Sequence, residues 1–174
     1  MASSETSHLL SAEKFKAAFR EHPAGVSVIT AIAGGEPVAL TATSVSSVSA
    51  EPPLLMFSVS EHSSSTPTIL RAETVVVHLL SADQLDLAKL GATHGVDRFA
   101  DRSTWSTFPT GEPYFPAVRS WIRGRIVSRT PAGGSKIILI EALEAHVVSH
   151  SPAPLVYHDR TWHALGDHSR IEPV

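Results

Sequence analysis

Short apolar runs rich in β-branched residues recur along the chain, and glycine or proline punctuates them. Val26–Ala33 (VSVITAIA) meets Gly34-Gly35-Glu36-Pro37, Val38–Ser46 returns, and Glu51-Pro52-Pro53 breaks the chain before Leu54–Ser60 (LLMFSVS). Thr74–Leu79 (TVVVHL) follows. Runs this short, rich in valine, isoleucine and threonine, suit pleated strands better than core helices. Two longer segments, Val118–Arg129 and Lys136–Ser149, flank Pro131-Ala132-Gly133-Gly134 and predict a curved hairpin. A last pair, Leu155–His158 and Trp162–Leu165, is joined by Asp159-Arg160-Thr161. So many apolar strands need their edges hidden, and a sheet closed on itself has none. The expected fold is mainly β, a closed antiparallel barrel with a few short peripheral helices.

The helices have their own signals. Ser11 is placed to cap a helix with Glu13 near its positive end and Phe15, Ala18 and Phe19 on one face, stopped by His22-Pro23-Ala24-Gly25. Thr66–Arg71 predicts a second, and Ser81 starts a third that Gly91 closes. Residues 92–116 hold glycines, prolines and the aromatics Trp105, Phe108, Tyr114 and Phe115 among others, and a loop this long is expected to be functional or to pack on its own rings. The expected organisation is a tail at 1–10, one domain at 11–168 and a short tail at 169–174.

The chain has 174 residues, 43% of them hydrophobic, enough for one sizeable core and too many for a disordered chain. A net charge of −3 gives no footprint for nucleic acid. With no cysteine, thiol catalysis, disulfides and Cys-zinc sites are excluded. The N-terminus lacks a signal-peptide pattern and no window is apolar enough to span a bilayer, so a cytoplasmic protein is expected.

Two hydroxyl-rich runs carry the ligand argument. Thr41-Ala42-Thr43-Ser44-Val45-Ser46-Ser47-Val48-Ser49-Ala50-Glu51-Pro52-Pro53 crowds small polar residues where backbone N–H groups can approach a flat polar ligand. Alone, it reads better as a Ser/Thr-rich strand and turn. The second, Ser58–Thr66, runs into a helix start at Thr66-Pro67, where free N–H groups favour phosphate. The plain alternative there is capping by Ser65 or Thr66.

With His22-Pro23-Ala24-Gly25-Val26 before these runs, Asp97-Arg98-Phe99 after them and Pro154-Leu155-Val156-Tyr157 near the end, the chain resembles the flavin reductase-like, FMN-binding split-barrel family from about Phe19 to Leu165. The resemblance implies a Greek-key split barrel, FMN or FAD as cofactor, and NADH or NADPH as hydride donor. It also implies a homodimer and a partner flavin-dependent monooxygenase that receives the reduced flavin. On it, Thr41, Ala42, Thr43, Ser44 and Ser47 would line the ring and ribityl part of the flavin. Ser58, Ser63, Ser64, Ser65 and Thr66 would take the phosphate. Arg98 and Phe99 match a pair near the flavin pocket, although a loop salt bridge from Arg98 to Asp97 or Asp101 is an equal reading. Relatives often carry Gly-Asp-His after the long hairpin turn, where this chain has Gly134-Ser135-Lys136. Lys136 either meets a dinucleotide phosphate or caps a hairpin, and it is the sole catalytic candidate. Tyr157 and His158 complete the nicotinamide side. The departure at Lys136 keeps a second function open, a flavin binder without reductase activity, and a related barrel using haem or deazaflavin is a third.

Other features read as structural. His158, His163 and His168 recur every five residues, a spacing that alternates faces on strands, and no HExxH motif supports a metal. His146 and His150 read as edge residues. The alternation of Arg119, Arg123 and Arg125 with Trp121 and Ile122 gives one basic and one apolar strand face, which suits a dimer contact better than nucleic acid.

Overall fold

The computed structural model describes residues 9–149 and 152–172. His150, residues 1–8 of the expected N-terminal tail and residues 173–174 lie outside the described residues. Helix α1 (Ala12–Arg20) leads to β1 (Ala24–Gly25), β2 (Ser27–Ala33), β3 (Glu36–Ala42), β4 (Ser46–Ser49) and β5 (Leu54–Ser60). Helix α2 (Thr66–Arg71), β6 (Thr74–Leu79) and α3 (Leu85–Ala92) follow. The short β7 (Ser106–Thr107) and β8 (Pro113–Tyr114) precede the long hairpin β9 (Trp121–Ala132) and β10 (Ser135–His146). Strands β11 (Leu155–His158) and β12 (Thr161–Ala164) pair with β1 in a small side sheet.

Seven strands pair antiparallel in the order β3-β2-β6-β9-β10-β5-β4. β3 and β4 sit at opposite edges, yet Thr43, Ser44 and Val45 are all that separates them in sequence. Laid flat, seven strands would hold those edges ~29 Å apart. The link from Ala42 to Ser46 spans at most ~14 Å. The sheet therefore curls until its edges meet, which is the expected barrel. A side chain makes the seam: the Ser44 hydroxyl accepts from the Ser58 N–H at 3.0 Å and donates to the Ser58 carbonyl at 3.2 Å. This rung continues the backbone pair Ser46–Met56. The single strand expected over Val38–Ser46 is thus two, broken where the chain crosses from one edge to the other.

β2 is buried on both faces over Ser27–Ala31, which explains why it carries no charge and does not alternate apolar with exposed polar residues. Ile29 and Ala31 face the barrel interior with Phe57, Val75, Val77, Ile138 and Ile140. Val28 faces a second core, where Ala88 of α3 meets Phe99, Phe115 and Leu155. Gly91 does not close α3 as expected, since the helix runs on to Ala92. Its role is close approach: a Cβ there would stand 2.4 Å from Thr41 Oγ1. The long hairpin turns on Gly133-Gly134 alone, because Pro131 and Ala132 stay paired with Lys136 and Ser135.

The irregular stretch after α3 packs on its own rings: Phe99 lies edge-on to Trp105 at 5.0 Å and parallel to Phe115 at 5.8 Å. Buried polar groups pin it to the barrel, since unpaired backbone groups there would be costly. Thr30 Oγ1 donates to the Pro113 carbonyl. His78 Nδ1–H donates to the Val28 carbonyl at 2.9 Å, and its Nε2 accepts from the Phe115 N–H at 3.1 Å. Glu112 accepts from Thr74, Thr110 and Arg123, the last by two nitrogens at 2.9 and 3.0 Å. The basic strand face expected at Arg119, Arg123 and Arg125 does not exist. Those arginines are paired with Asp83, Glu112 and Glu141, so their charge is neutralised. Trp121 instead packs on Phe108 and stacks with His146.

Candidate functional site

The Thr43–Val45 crossing opens a groove beside the seam. One half, about 440 Å³, is walled by Thr41, Ala42, Ser58, Ser60, Ser63, Ser64 and Arg98, with Gly91, Ala92 and His94 from the end of α3. The other half, about 840 Å³, is walled by His22, Pro23, Ala24, Gly25, Val45, Met56 and Tyr157. Thr43, Ser44 and Ser58 belong to both, so the halves form one groove. The first half is lined mainly by hydroxyls and Arg98; the second is broader and mixed, with Ser46 adding a further hydroxyl, and away from the shared Thr43, Ser44 and Ser58 its apolar end is supplied by Phe19, Pro23, Ala24, Met56 and Tyr157. No carboxylate lines either half.

The hydroxyls divide into those spent on the fold and those facing the groove. Thr41 Oγ1 donates to the Ala88 carbonyl at 2.6 Å, locking α3 to β3. Ser44 is occupied at the seam. Ser65 is buried and bonds to the Ala39 carbonyl at 3.2 Å, and Thr66 bonds to the Ser60 carbonyl at 2.6 Å. Neither Ser65 nor Thr66 caps α2 with its side chain in the expected way; the Thr66 N–H goes to the Ser63 carbonyl at 3.1 Å. Ser63 Oγ accepts from the Ser65 N–H at 3.3 Å, which leaves its own proton to give to a ligand. Thr41 and Ser44 also line the groove, but their hydroxyls are spent on the fold, which leaves Thr43, Ser58, Ser63 and Ser64 as the expected hydroxyls available there.

Arg98 marks the polar end. Its Nη2 donates to the Thr93 carbonyl at 2.8 Å, while its Nε is buried with no partner among the described residues. The expected alternative, an ion pair with Asp97 or Asp101, is absent among the described residues. Those carboxylates accept instead from the Phe99 N–H and from Ser103. Phe99 does not line the groove; it packs in the second core against Trp105 and Phe115. Ser47 is exposed on β4, outside both walls. Lys136 pairs with Glu61 at 3.2 Å across the hairpin end and lines neither half, although its neighbour Ser135 does. Tyr157 walls the apolar end and packs on Trp162 at 4.7 Å, whereas His158 faces away toward α1.

Sequence reasoning missed the walls formed by Ser60, Gly91, Ala92, His94, Met56 and Ser135. Their one usable signal was alternation: Met56, Ser58 and Ser60 share a strand face. Two titratable groups are strongly shifted, both where the loop after α3 is pinned to the barrel. Burial lowers His78 to about 4 against a smaller upward pull from backbone hydrogen bonds at Val28 and Val76. Burial works against the charge of Glu112, yet Arg123, Thr110, Thr74 and its own backbone amide outweigh it and hold it down to about 2.

The polar end fits a phosphomonoester: Arg98, which has a guanidinium nitrogen without a partner among the described residues, lines it together with Ser63 and Ser64 and no opposing carboxylate. The broader end, where Phe19, Met56 and Tyr157 stand beside hydroxyls, fits a ring system with a polar edge. Residues 19–166 match the model of the flavin reductase like domain. An NADH:FMN oxidoreductase from Rhodococcus erythropolis is 40% identical over 161 residues, 91% of this chain and 84% of that protein. An NADH:riboflavin 5′-phosphate oxidoreductase from Streptomyces pristinaespiralis is 33% identical, over 87% and 86%. The crystal structure of a flavin reductase domain protein from Arthrobacter superposes with a TM-score of 0.83 at 34% identity, covering 88% of this chain and 95% of that one. The flavin reductase component of a bacterial two-component tryptophan halogenase gives 0.81 at 28% identity, over 90% and 99%. The chain belongs to the flavin reductase-like family.

Proposed function

We propose that this protein is an NAD(P)H-dependent flavin reductase that takes FMN or FAD in the groove and passes the reduced flavin to a partner monooxygenase. The observation that carries the reading is the groove's lining, with Arg98 and its orphaned nitrogen at a hydroxyl-lined end and Phe19, Met56 and Tyr157 adding apolar wall at the other. The flavin, when bound, supplies the two-electron chemistry, and the chain supplies binding and orientation. Arg98 with the Ser63 and Ser64 hydroxyls holds the phosphate. Thr43 and Ser58, with the backbone from Thr41 to Ser44, present donors and acceptors to the polar middle. Ala24, Gly25, Met56 and Tyr157 exclude water from the ring end, where the donor's nicotinamide enters. Holding the two rings in near-attack geometry is the main contribution expected of such a site. The polar wall consists largely of neutral hydroxyls, which suits a flavin that must leave again for an oxygenase.

A homodimer is part of this proposal. Val48, Met56, Val127 and Ile137 are exposed on the strands next to the groove, and Met56 is itself a groove wall. A second copy covering them would complete that wall. A cytoplasmic setting is proposed as well; among the described residues no helix is long and apolar enough to cross a membrane.

The test is oxidation of NADH and NADPH by purified protein, with and without added FMN or FAD. Turnover that depends on added flavin is expected. Absence of turnover with both donors and both flavins would overturn the reading.

A further inference from the structure

A third recess, about 340 Å³, lies between α1 and the turn that joins β11 to β12. It shares Phe19, His22 and Tyr157 with the apolar end of the groove, so the two open into each other. Lys16, Arg20 and Arg160 stand around it with one carboxylate, Asp159. None of the three cations has an ion-pair partner among the described residues, although Arg71, Arg119, Arg123, Arg125 and Arg170 all do. In a chain of net charge −3, that is a local concentration of unpaired positive charge.

The aromatic wall is equally unspent. Phe15 and Phe19 meet ring to ring at 4.7 Å, yet are 54% and 60% exposed, and α1 buries no residue. The rim is held by the backbone: the Asp159 N–H donates to the Arg20 carbonyl at 3.0 Å. Asp159 and Arg160 both take positive φ, 44° and 59°. The turn between β2 and β3 meets the same demand with Gly34 and Gly35. Here side chains occupy the left-handed positions, a strained choice that sets a guanidinium on the rim.

We propose that this recess seats the adenosine diphosphate half of the hydride donor, with its cations on the pyrophosphate and the Phe15–Phe19 pair against the adenine. The inference rests on the reductase reading, because it takes the nicotinamide to occupy the apolar end that the recess adjoins. The flavin's phosphate has a separate seat at Arg98, in the half of the groove that shares no wall with the recess. An adenylate carried by FAD would therefore leave from the other end.

The experiment compares wild type with Lys16→Ala/Arg160→Gly. Glycine at 160 removes the strain along with the charge, so the variant folds, and its melting temperature checks this. Two readouts apply: the ratio of kcat/KM for NADH over reduced nicotinamide mononucleotide, and calorimetric titration with ADP. The ratio is expected to fall at least tenfold, and ADP to bind wild type at least tenfold more tightly than the variant. An unchanged ratio, or ADP binding that is absent from wild type or equal in both, overturns the proposal. FAD bound at least tenfold more tightly than FMN, with that advantage lost in the variant, overturns it in favour of the flavin's own adenylate. If ADP binding follows the prediction while no donor is oxidised with either flavin, the recess stands as an ADP seat and the reductase reading falls.

Discussion

Burying a guanidinium nitrogen without an acceptor is unfavourable by roughly 1–3 kcal/mol, and Arg98 tolerates this at Nε. Such a group gains most when a ligand supplies the missing oxygen. Arg98→Ala is therefore expected to weaken FMN binding about 10- to 100-fold, as loss of a charge-assisted hydrogen bond would. Riboflavin, which lacks the phosphate, should lose less than threefold. Quenching of flavin fluorescence measures both, and equal losses would remove Arg98 from the phosphate seat. At this scale the sequence was half legible. Thr41, Ser44, Ser65 and Thr66 have the right chemistry and sit in the right runs, but their hydroxyls bond Ala88, Ser58, Ala39 and Ser60. Composition shows that a hydroxyl is present; its direction depends on partners 6 to 47 residues away. Ser63 and Thr43 differ from them in nothing a sequence records.

Between elements, the tightest joint is α3 against β3. Gly91 lets the helix approach until Thr41 Oγ1 reaches the Ala88 carbonyl. Gly91→Ala forces overlap at that joint and is expected to destabilise the fold by about 2 kcal/mol, in the range of overpacked cores. It should also weaken flavin binding, because Gly91, Ala92 and His94 wall the polar end. Adding Thr41→Ala makes room for the new methyl, so the double variant should recover part of the loss; strict additivity in urea melts would refute the account. The elements themselves were legible from short β-branched runs, capping residues and glycine turns. What stayed hidden was the break at Thr43–Val45. No turn residue marks it, and it arises because the two ends of that run belong to opposite edges of a sheet the sequence does not display. Gly91 misled for a related reason: a glycine near a helix end signals a stop and a close approach with the same letter.

Across the whole molecule, two buried groups set the response to acid. His78 is held neutral, with its pKa lowered to about 4. The unfolded chain takes up that proton first, so the stabilisation is complete above about pH 6.5 and is lost as the pH falls toward 4, to a total of about 3 kcal/mol. Glu112 is held charged, at about 2. Its contribution is present above the ordinary glutamate range and is lost as the pH falls from about 4.5 toward 2. Both losses run in the same direction, so urea melts should show stability falling in two successive steps below neutrality. His78→Gln should abolish the upper step and leave the lower one. Both groups pin the loop from Phe108 to Val118, so the aromatic loop should loosen before the barrel does. Barrel closure was legible from the number of apolar strands; the buried polar pins were not, because a lone histidine or glutamate in sequence carries no sign of burial.

The seam at Thr43–Val45 has one more consequence. The residues that fasten the barrel's two edges also form the wall common to both halves of the groove, so occupancy and fastening are thermodynamically linked. Each ligand that settles there adds its binding free energy to the work of parting the edges. FMN at a hundred times its dissociation constant adds ~2.7 kcal/mol. The amide hydrogen of Ser58, held by the Ser44 hydroxyl alone across the seam, should then exchange with solvent ~100-fold more slowly, while amides of the β9–β10 ladder far from the groove keep their rates. A reductase that lends its flavin away would, on each departure, return to a form whose barrel opens most readily along that one line.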